Sequence, residues 1–185
     1  MAVGHVEWPA GTGTGRFTIY PESGKKRGEG NGVTPIKNGL MEKLEASGWQ
    51  LESTAKTALG ADLGAFDAVK MTPAGPIVLE WETGNISSSH RSLNKMAMLL
   101  MSGGIATGTL VVPSRSLYKY LTDRIGNISE LEPYFSLWQS LALPCKKCGK
   151  IPLENGVLEI VVIEHDATST NVPRIPKGTS GRALG

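Results

Sequence analysis

The stretches FDAVK at residues 66–70 and IVLEWE at residues 77–82 are predicted to form two neighbouring β-strands joined by a Pro/Gly turn. Both runs are rich in apolar and β-branched residues, which favours strands. Alternation along the second strand places Glu80 and Glu82 on one face and the Ile, Leu and Trp side chains on the other. Asp67 supplies a third carboxylate from the first strand. A strand with a full apolar face and two acids on its other face suggests that these acids have a task.

Three carboxylates on one short hairpin predict a metal site. Next-but-one residues on a strand, such as Glu80 and Glu82, are about 6–7 Å apart. Like charges at that distance repel each other unless a cation or a proton neutralises them. Mg²⁺ prefers hard oxygen ligands and binds one or two carboxylates while keeping several waters. The residues alone leave two alternatives open. The acids could form the solvated face of an edge strand, or the acid pair of a glycoside hydrolase, although such a pair usually flanks its sugar from opposite sides.

The register of the hairpin decides whether the three acids can act together. Pairing Thr72 with Ile77 would set Asp67 opposite Glu82 and leave residues 73–76 as a four-residue loop, a common hairpin length. A slip of one residue would send Asp67 to the opposite face of the sheet. We therefore expect a shared carboxylate face and a four-residue loop.

The carboxylate spacing and the segment behind it resemble a known nuclease family. Asp67, followed after twelve residues by Glu80-Trp81-Glu82, resembles the core of the PD-(D/E)XK nucleases. The segment TGNISSSHR at 83–91, entering a helix, resembles the type II restriction endonucleases of the BglII/BamHI group, and TDRIGN at 122–127 adds to this. The resemblance covers residues 34 to 165. Glu82 replaces the lysine usual in the superfamily, as in the BamHI-like branch.

The resemblance implies an α/β fold with a PD-(D/E)XK restriction-endonuclease-like core, a central mixed β-sheet flanked by helices. It also implies a Mg²⁺-dependent endonuclease that hydrolyses double-stranded DNA at a short palindromic site. Asp67 and Glu80, with the main-chain carbonyl of Trp81, would hold one or two Mg²⁺ ions. Glu82 would orient or deprotonate the attacking water or bind a second metal. A homodimer would match the symmetry of a palindrome, and a cognate DNA methyltransferase would be its functional partner.

Polar and basic residues near the predicted site are candidate DNA contacts, because they can donate to phosphates and base edges. On the segment after the catalytic strand these residues are Asn85, Ser87, Ser88, Ser89, His90, Arg91 and Lys95. A Gly-rich basic tip adds Lys25, Lys26 and Arg27, which could grip phosphates. Helix capping by a serine, a dimer contact by His90 and plain solvation of the basic tip are the open alternatives.

Composition bounds the class of protein. A chain of 185 residues predicts one domain, here a single nuclease domain over 1–185. Within it, residues 1–33 are predicted to be an irregular, Gly-rich basic segment. Residues 168–185 are predicted to be a flexible tail unless DNA or a partner subunit holds them. The longest apolar run falls short of the ~20 residues of a membrane span. No apolar leader opens the chain, which favours the bacterial cytoplasm. A net charge of +2 permits nucleic-acid binding without demanding it.

The two cysteines, Cys145 and Cys148, form a single CxxC. A structural zinc needs four ligands, so this pair would need a second pair from a dimer partner, and reduced surface cysteines are the simpler interpretation.

Two functional alternatives to restriction also remain at this point. One is a structure-specific or repair nuclease with the same core, and the other is a non-catalytic DNA-binding module.

Hydrophobic periodicity predicts the order α-β-β-β-α-β, with later helices and a final strand. Ser129-x-x-Glu132 resembles a capping box at the start of the last helix. The predicted helices lie at 34–47, 88–102, 116–123 and 134–143, and the predicted strands at 49–54, 65–71, 77–82, 109–112 and 157–164.

Overall fold

The computed structural model describes residues 6–26, 29–56, 60, 62–84, 86–122, 126–140 and 155–177. The described strands are β1 (Thr18–Ile19), β2 (Gln50–Lys56), β3 (Asp62–Lys70), β4 (Ile77–Trp81), β5 (Thr107–Pro113), β6 (Val157–Ile163) and β7 (Ala167–Thr168). The described helices are α1 (Thr34–Ala46), α2 (Ile86–Met101), α3 (Arg115–Tyr118), α4 (Ile128–Leu131) and α5 (Phe135–Gln139), with a 3-10 turn at Glu132–Tyr134.

A mixed five-stranded sheet forms the centre of the protein, in the order β2-β3-β4-β5-β6. The first two pairings, β2 with β3 and β3 with β4, are antiparallel. The next two, β4 with β5 and β5 with β6, are parallel. Helix α2 connects β4 to β5, as a parallel crossover requires. This confirms the predicted α/β architecture with a mixed sheet flanked by helices.

Helix α1 packs on one face of the sheet. Ile36, Leu40 and Leu44 recur at intervals of four residues and are buried in a cluster that includes Leu79 and Trp81 of β4. Pro35 lies in the first turn, where its fixed φ suits a helix and its missing N–H is not needed. The helix ends before Gly48, whose φ of 81° is the left-handed conformation that glycine adopts most readily.

Helix α2 packs on the other face. Leu93, Met96 and Leu100 are buried in a second cluster that includes Val78 of β4. The contact with β5 is close, because a Cβ atom at Gly108 would lie 2.8 Å from the Cβ of Met96. The alternation predicted for β4 is thus divided between two cores, and the sheet is the middle layer of three. No helix among the described residues is long and apolar enough to cross a membrane.

The β3–β4 hairpin has a longer loop than predicted. Lys70 pairs with Ile77 and Val69 pairs with Val78, so the loop spans the six residues 71–76. The expected four-residue loop and the pairing of Thr72 with Ile77 are wrong. A shift of the register by two residues nevertheless keeps every side chain on its face, because side chains alternate with a period of two.

The helical region after β5 also differs from the prediction. Asn127, rather than Ser129, begins α4: its side-chain oxygen accepts from the N–H of Ser129 at 3.1 Å and its amide donates to Glu130 at 3.1 Å. Pro133 then lies in the 3-10 turn that separates α4 from α5, since proline lacks the N–H that a continuous helix would use. Of the predicted helix 116–123, only residues 116–118 among the described 116–122 are helical, as part of the short α3. The end of the predicted helix 134–143 lies outside the described residues.

The segments near the two ends of the chain are joined by hydrogen bonds. Asn31 is fully buried: its side-chain oxygen accepts from the N–H of Ile175 at 3.1 Å, and its amide donates to the carbonyls of Tyr20 and Tyr120, both at 2.8 Å. Trp8 donates to the carbonyl of Pro173 at 2.9 Å. Part of the predicted tail thus contacts the protein itself, through Pro173 and the buried Ile175. Cys145, Cys148 and residues 178–185 of the predicted tail lie outside the described residues.

Candidate active site

The candidate site lies where β3 and β4 stop pairing. Their ladder ends at Ala68 and Leu79, so the next residues on the two strands are Asp67 and Glu80. These two and Glu82 all line one open cavity of about 910 Å³. The predicted shared carboxylate face is therefore confirmed. The cavity is also lined by residues of α1 and α2: Lys37, Arg91, Ser92, Asn94 and Lys95.

Both oxygens of Asp67 accept hydrogen bonds. Oδ2 accepts from the main-chain N–H of Trp81 at 2.7 Å, a donor that the β3–β4 ladder leaves available. Oδ1 lies 2.5 Å from the Nζ of Lys37, in the first turn of α1. The carboxylate of Asp67 is thus held by the backbone of the neighbouring strand and by a cation from a helix.

Glu80 is a buried acid, with 9% of its surface exposed. Its Oε1 lies 2.6 Å from the Nζ of Lys95, whose side chain comes from α2. Burial raises the pKa of Glu80, the nearby charge of Asp67 raises it further, and Lys95 opposes the rise. Its burial excludes the solvated edge-strand interpretation for this acid.

Glu82 follows β4 and accepts a hydrogen bond from Ser92 Oγ at 2.8 Å. Burial also raises its pKa, and so do the charges of Glu80 and Asp67, while Ser92 and Arg91 lower it. Two of the three carboxylates therefore have raised pKa values, because they are withdrawn from water and repel one another. A further cation beside these acids would favour their charged forms.

The donor set suits a hard divalent cation, since it consists of carboxylates and a main-chain carbonyl. Even so, no three His, Cys, Asp or Glu side chains among the described residues converge closely enough to hold a metal ion. Each of the three acids instead has a side-chain partner. Asp67 and Glu80 face lysine ammonium groups, and Glu82 faces a serine. The residues fit a metal, with two lysines occupying carboxylate oxygens that it would use.

Comparison with known proteins identifies the family. The model of the family "Restriction endonuclease BamHI" matches residues 1–182 of this chain. The chain belongs to the BamHI restriction endonuclease family. It is 46% identical over 183 residues to the type II restriction enzyme OkrAI of Oceanobacter kriegii, covering 99% of this chain and 86% of that protein. It is 33% identical over 181 residues to the type II restriction enzyme BamHI of Bacillus amyloliquefaciens, covering 94% of this chain and 75% of that protein.

The protein is therefore a type II restriction endonuclease, a sequence-specific deoxyribonuclease that acts on double-stranded DNA. Enzymes of this type generally use a divalent metal ion. The resemblance noted in the sequence is confirmed, and the glycoside hydrolase alternative is excluded. The two segments that suggested it also meet in space, because the N–H of Gly126 donates to the carbonyl of Gly84 at 2.7 Å.

The predicted DNA-contacting residues of this restriction endonuclease differ in how exposed they are. At the start of α2, Ser87 and Arg91 are exposed, and Arg91 lines the cavity. Ser88 is half-buried. Ser89 is 1% exposed, so its side chain faces the core and is unavailable to DNA in this structure. His90 packs edge-on against the ring of Tyr134, with centroids 4.6 Å apart.

Other predicted contacts lie elsewhere. Lys25 and Lys26 are exposed but do not line the cavity. Lys95 lies inside the cavity against Glu80, so the structure gives it a carboxylate partner instead of the phosphate or solvent expected for it. Arg27 and Asn85 lie outside the described residues.

Sequence reasoning missed Lys37 and Ser92. Lys37, in the first turn of α1, reaches the site and contacts Asp67. No local pattern places α1 beside β3, so Lys37 carried no signal. Ser92 did carry one, because it lies one helical turn after Ser88 and one turn before Lys95, on a face that begins directly after the catalytic strand.

Proposed function

We propose that this restriction endonuclease is a Mg²⁺-dependent homodimer that cleaves both strands of a short palindromic DNA site. The observation that carries the proposal is the arrangement of Asp67, Glu80 and Glu82 in one open cavity. Acids with pKa values raised by burial and mutual repulsion are typical of functional sites. The basic start of α2 borders the same cavity, where a DNA backbone would need a positive surface.

Asp67 and Glu80 would bind the metal ion, together with the main-chain carbonyl of Trp81. When bound, Mg²⁺ would neutralise charge that develops on the scissile phosphate and on the leaving oxygen. The N–H of Trp81 keeps Asp67 oriented towards the cavity at 2.7 Å. Lys95 holds Glu80 at 2.6 Å, so both ligands are positioned before metal and DNA arrive.

Glu82 would orient the attacking water and accept its proton. An unperturbed glutamate, with a pKa of about 4.3, is a weak general base at neutral pH. Burial raises the pKa of Glu82, which brings it towards the range in which a base is effective. Ser92 donates to one carboxylate oxygen and fixes the orientation of the side chain.

The start of α2 would contact DNA close to the scissile phosphate. Arg91 lines the cavity and is exposed, so it can donate to a phosphate or to a base edge. Ser87, one helical turn earlier, is exposed as well. Asn85 belongs to this proposal by its position in the sequence, and Lys25, Lys26 and Arg27 would grip phosphates farther from the site.

A homodimer would use the apolar surface near α2 and α5. Met98, Met101, Tyr134 and Leu137 are 51%, 50%, 47% and 58% exposed, which is unusual for large apolar side chains. Met96, on the same helix, is fully buried and belongs to the core, so it would not take part in this interface. The proposed enzyme would act with a cognate DNA methyltransferase, in the bacterial cytoplasm where the host DNA lies.

Digestion of unmethylated plasmid DNA tests this proposal directly. With Mg²⁺ we expect discrete fragments whose sequenced ends share one palindromic site, and no cleavage in EDTA. Ends without a common sequence, or a preference for branched DNA, would contradict restriction at a palindrome. DNA methylated at the site found should resist cleavage.

Sedimentation of the DNA complex tests the dimer. We expect two protomers per site, and one protomer per site would rule the dimer out. Leu137→Glu should weaken association by introducing a charge into the proposed interface. Met71→Glu is the matched control, because Met71 is 66% exposed but lies in the β3–β4 hairpin loop and not on α2 or α5.

A further inference from the structure

Two lysines neutralise the carboxylates of the candidate active site, and they come from different sides of the sheet. Lys37 belongs to α1, which packs in the cluster around Leu79, and Lys95 belongs to α2, which packs in the cluster around Val78. Counting Arg91, the cavity is lined by three cationic and three anionic side chains. The formal charges of these six side chains sum to zero, so the two lysines and Arg91 offset part of the repulsion among the three acids.

Lys95 is held at three points. Its Nζ lies 2.6 Å from Glu80 Oε1 and 2.8 Å from the carbonyl of Ala65, and 3.7 Å from the centre of the Phe66 ring. Its side chain is 13% exposed. Moving this ammonium group would break a salt bridge, a hydrogen bond and a cation–π contact together.

Lys37 is held at one point. Among the described residues its one polar partner is Asp67, at 2.5 Å, and its side chain is 31% exposed. It also lies in the first turn of α1, where the positive end of the helix dipole disfavours a cation. Lys37 is therefore the more easily released of the two ammonium groups.

We propose that Lys37 is an exchangeable cation that the metal ion replaces on Asp67, while Lys95 stays on Glu80 throughout. This inference rests on the metal site of the proposed function. Its geometric basis is that the two oxygens of Asp67 have different partners. Release of Lys37 frees Oδ1 for a metal, while Oδ2 keeps the N–H of Trp81 and the carboxylate keeps its orientation.

The exchange gives the released ammonium group a second task. Lys37 remains tethered at the cavity wall by a long flexible side chain, so it can move towards the phosphate that arrives with DNA. Metal binding and phosphate binding would then support each other, because the metal releases the cation that the phosphate attracts. Without DNA, the metal must displace Lys37 although no phosphate is present to attract the released ammonium group.

Chemical labelling of lysines with an acetylating reagent can detect the exchange without any cleavage. The wild-type protein is labelled without DNA, with and without Ca²⁺, and quantified by mass spectrometry. We expect acetylation of Lys37 to increase several-fold with Ca²⁺, while Lys95 stays protected in both states. Lys43, exposed on the last turn of the same helix, should be unchanged and is the internal control.

Calorimetric titration with Ca²⁺ in the absence of DNA measures the competition. Lys37→Met should bind Ca²⁺ on the order of ten-fold more tightly than the wild type, because the competing charge is gone. Lys43→Met should bind as the wild type does. Binding by Lys37→Met where the wild type binds none also supports the exchange.

The outcomes separate this inference from the proposed function. If the wild type binds Ca²⁺ while the labelling of Lys37 is unchanged, the exchange is wrong and the metal site stands. Labelling of Lys95 instead of Lys37, or equal affinity of Lys37→Met and wild type, also overturns the exchange. If neither protein binds Ca²⁺, the metal site fails together with the exchange.

Discussion

Two carboxylates in different parts of the molecule, Glu7 and Glu80, both accept hydrogen bonds, yet their charges are stabilised to different degrees. Glu7 lies at the surface and accepts from the N–H groups of Gly11, Gly15 and Gly13 at 2.8, 3.1 and 3.4 Å. The hydrogen bond from Gly15 is the largest of several causes that lower its pKa. Glu80 has a lysine partner, yet burial raises its pKa.

The difference shows what marks a functional carboxylate here. Neutral N–H dipoles stabilise the charged form of Glu7 without withdrawing it from water, so its charge needs no cation. Glu80 and Glu82 are buried beside Asp67, and their donors do not offset burial and repulsion. What distinguishes the cavity is that its buried acids would be stabilised further by an added positive charge.

The largest expected effect is on cleavage, when the charges of the cavity are removed. Asp67→Asn and Glu80→Gln keep the shape of the side chains but remove the anionic ligands, so cleavage with Mg²⁺ should fall by about 10³-fold or more. Fragment formation on plasmid DNA measures the rate. Glu7→Gln is the matched control and should cleave at the wild-type rate.

Binding separates a catalytic role from a structural one. Both variants should still bind the cognate site in Ca²⁺, as measured by gel mobility shift. Cleavage near the wild-type rate by either variant would remove its metal-ligand assignment. Loss of both binding and folding would instead indicate that the acid is structural.

The second prediction concerns the backbone around Glu7. Gly11 has a φ of 77°, a conformation that alanine adopts only with strain, although no atom would touch the added Cβ. Gly11→Ala should lower the melting temperature by about 2–4 °C, the effect of about 1 kcal/mol in a protein of this size. Gly39→Ala is the opposite control. It lies within α1, with equally open space, and should be stabilising, because alanine favours a helix.

The third prediction concerns Glu82, where removal of a charge from the cavity should raise the stability of the fold. A raised pKa means that the folded protein disfavours the charged form of Glu82, so this group destabilises the fold at neutral pH. In EDTA, Glu82→Gln should therefore melt about 2 °C above the wild type. It should also cleave about 10²-fold more slowly or worse, as expected for loss of a general base. A lower melting temperature would show that the charge of Glu82 stabilises the fold.

The two regions also differ in how far the sequence predicted them. The hairpin acids were predictable because alternation along β4 is local, and a two-residue error in register left the faces unchanged. The lysines that neutralise them were not, since their positions depend on how α1 and α2 pack against the sheet. The Gly11–Gly15 segment has glycines at every second position, but nothing in the sequence indicated that their N–H groups would donate to Glu7. The break before α5 was in principle readable from Pro133.

The smallest expected effect is on the stability supplied by Glu7 itself. Its pKa is lowered in the folded protein, so its contribution is present above the unfolded pKa and is lost as the pH falls through the folded pKa. Glu7→Gln should therefore lower the melting temperature by about 1 °C at pH 7. The difference from the wild type should close as the pH drops below about 4.3, the usual glutamate pKa. Thermal melts at pH 7 and pH 3.5 measure it. An equal difference at both values would mean that the glycine loop binds the side chain without sensing its charge, and the contrast with Glu80 would then rest on burial alone.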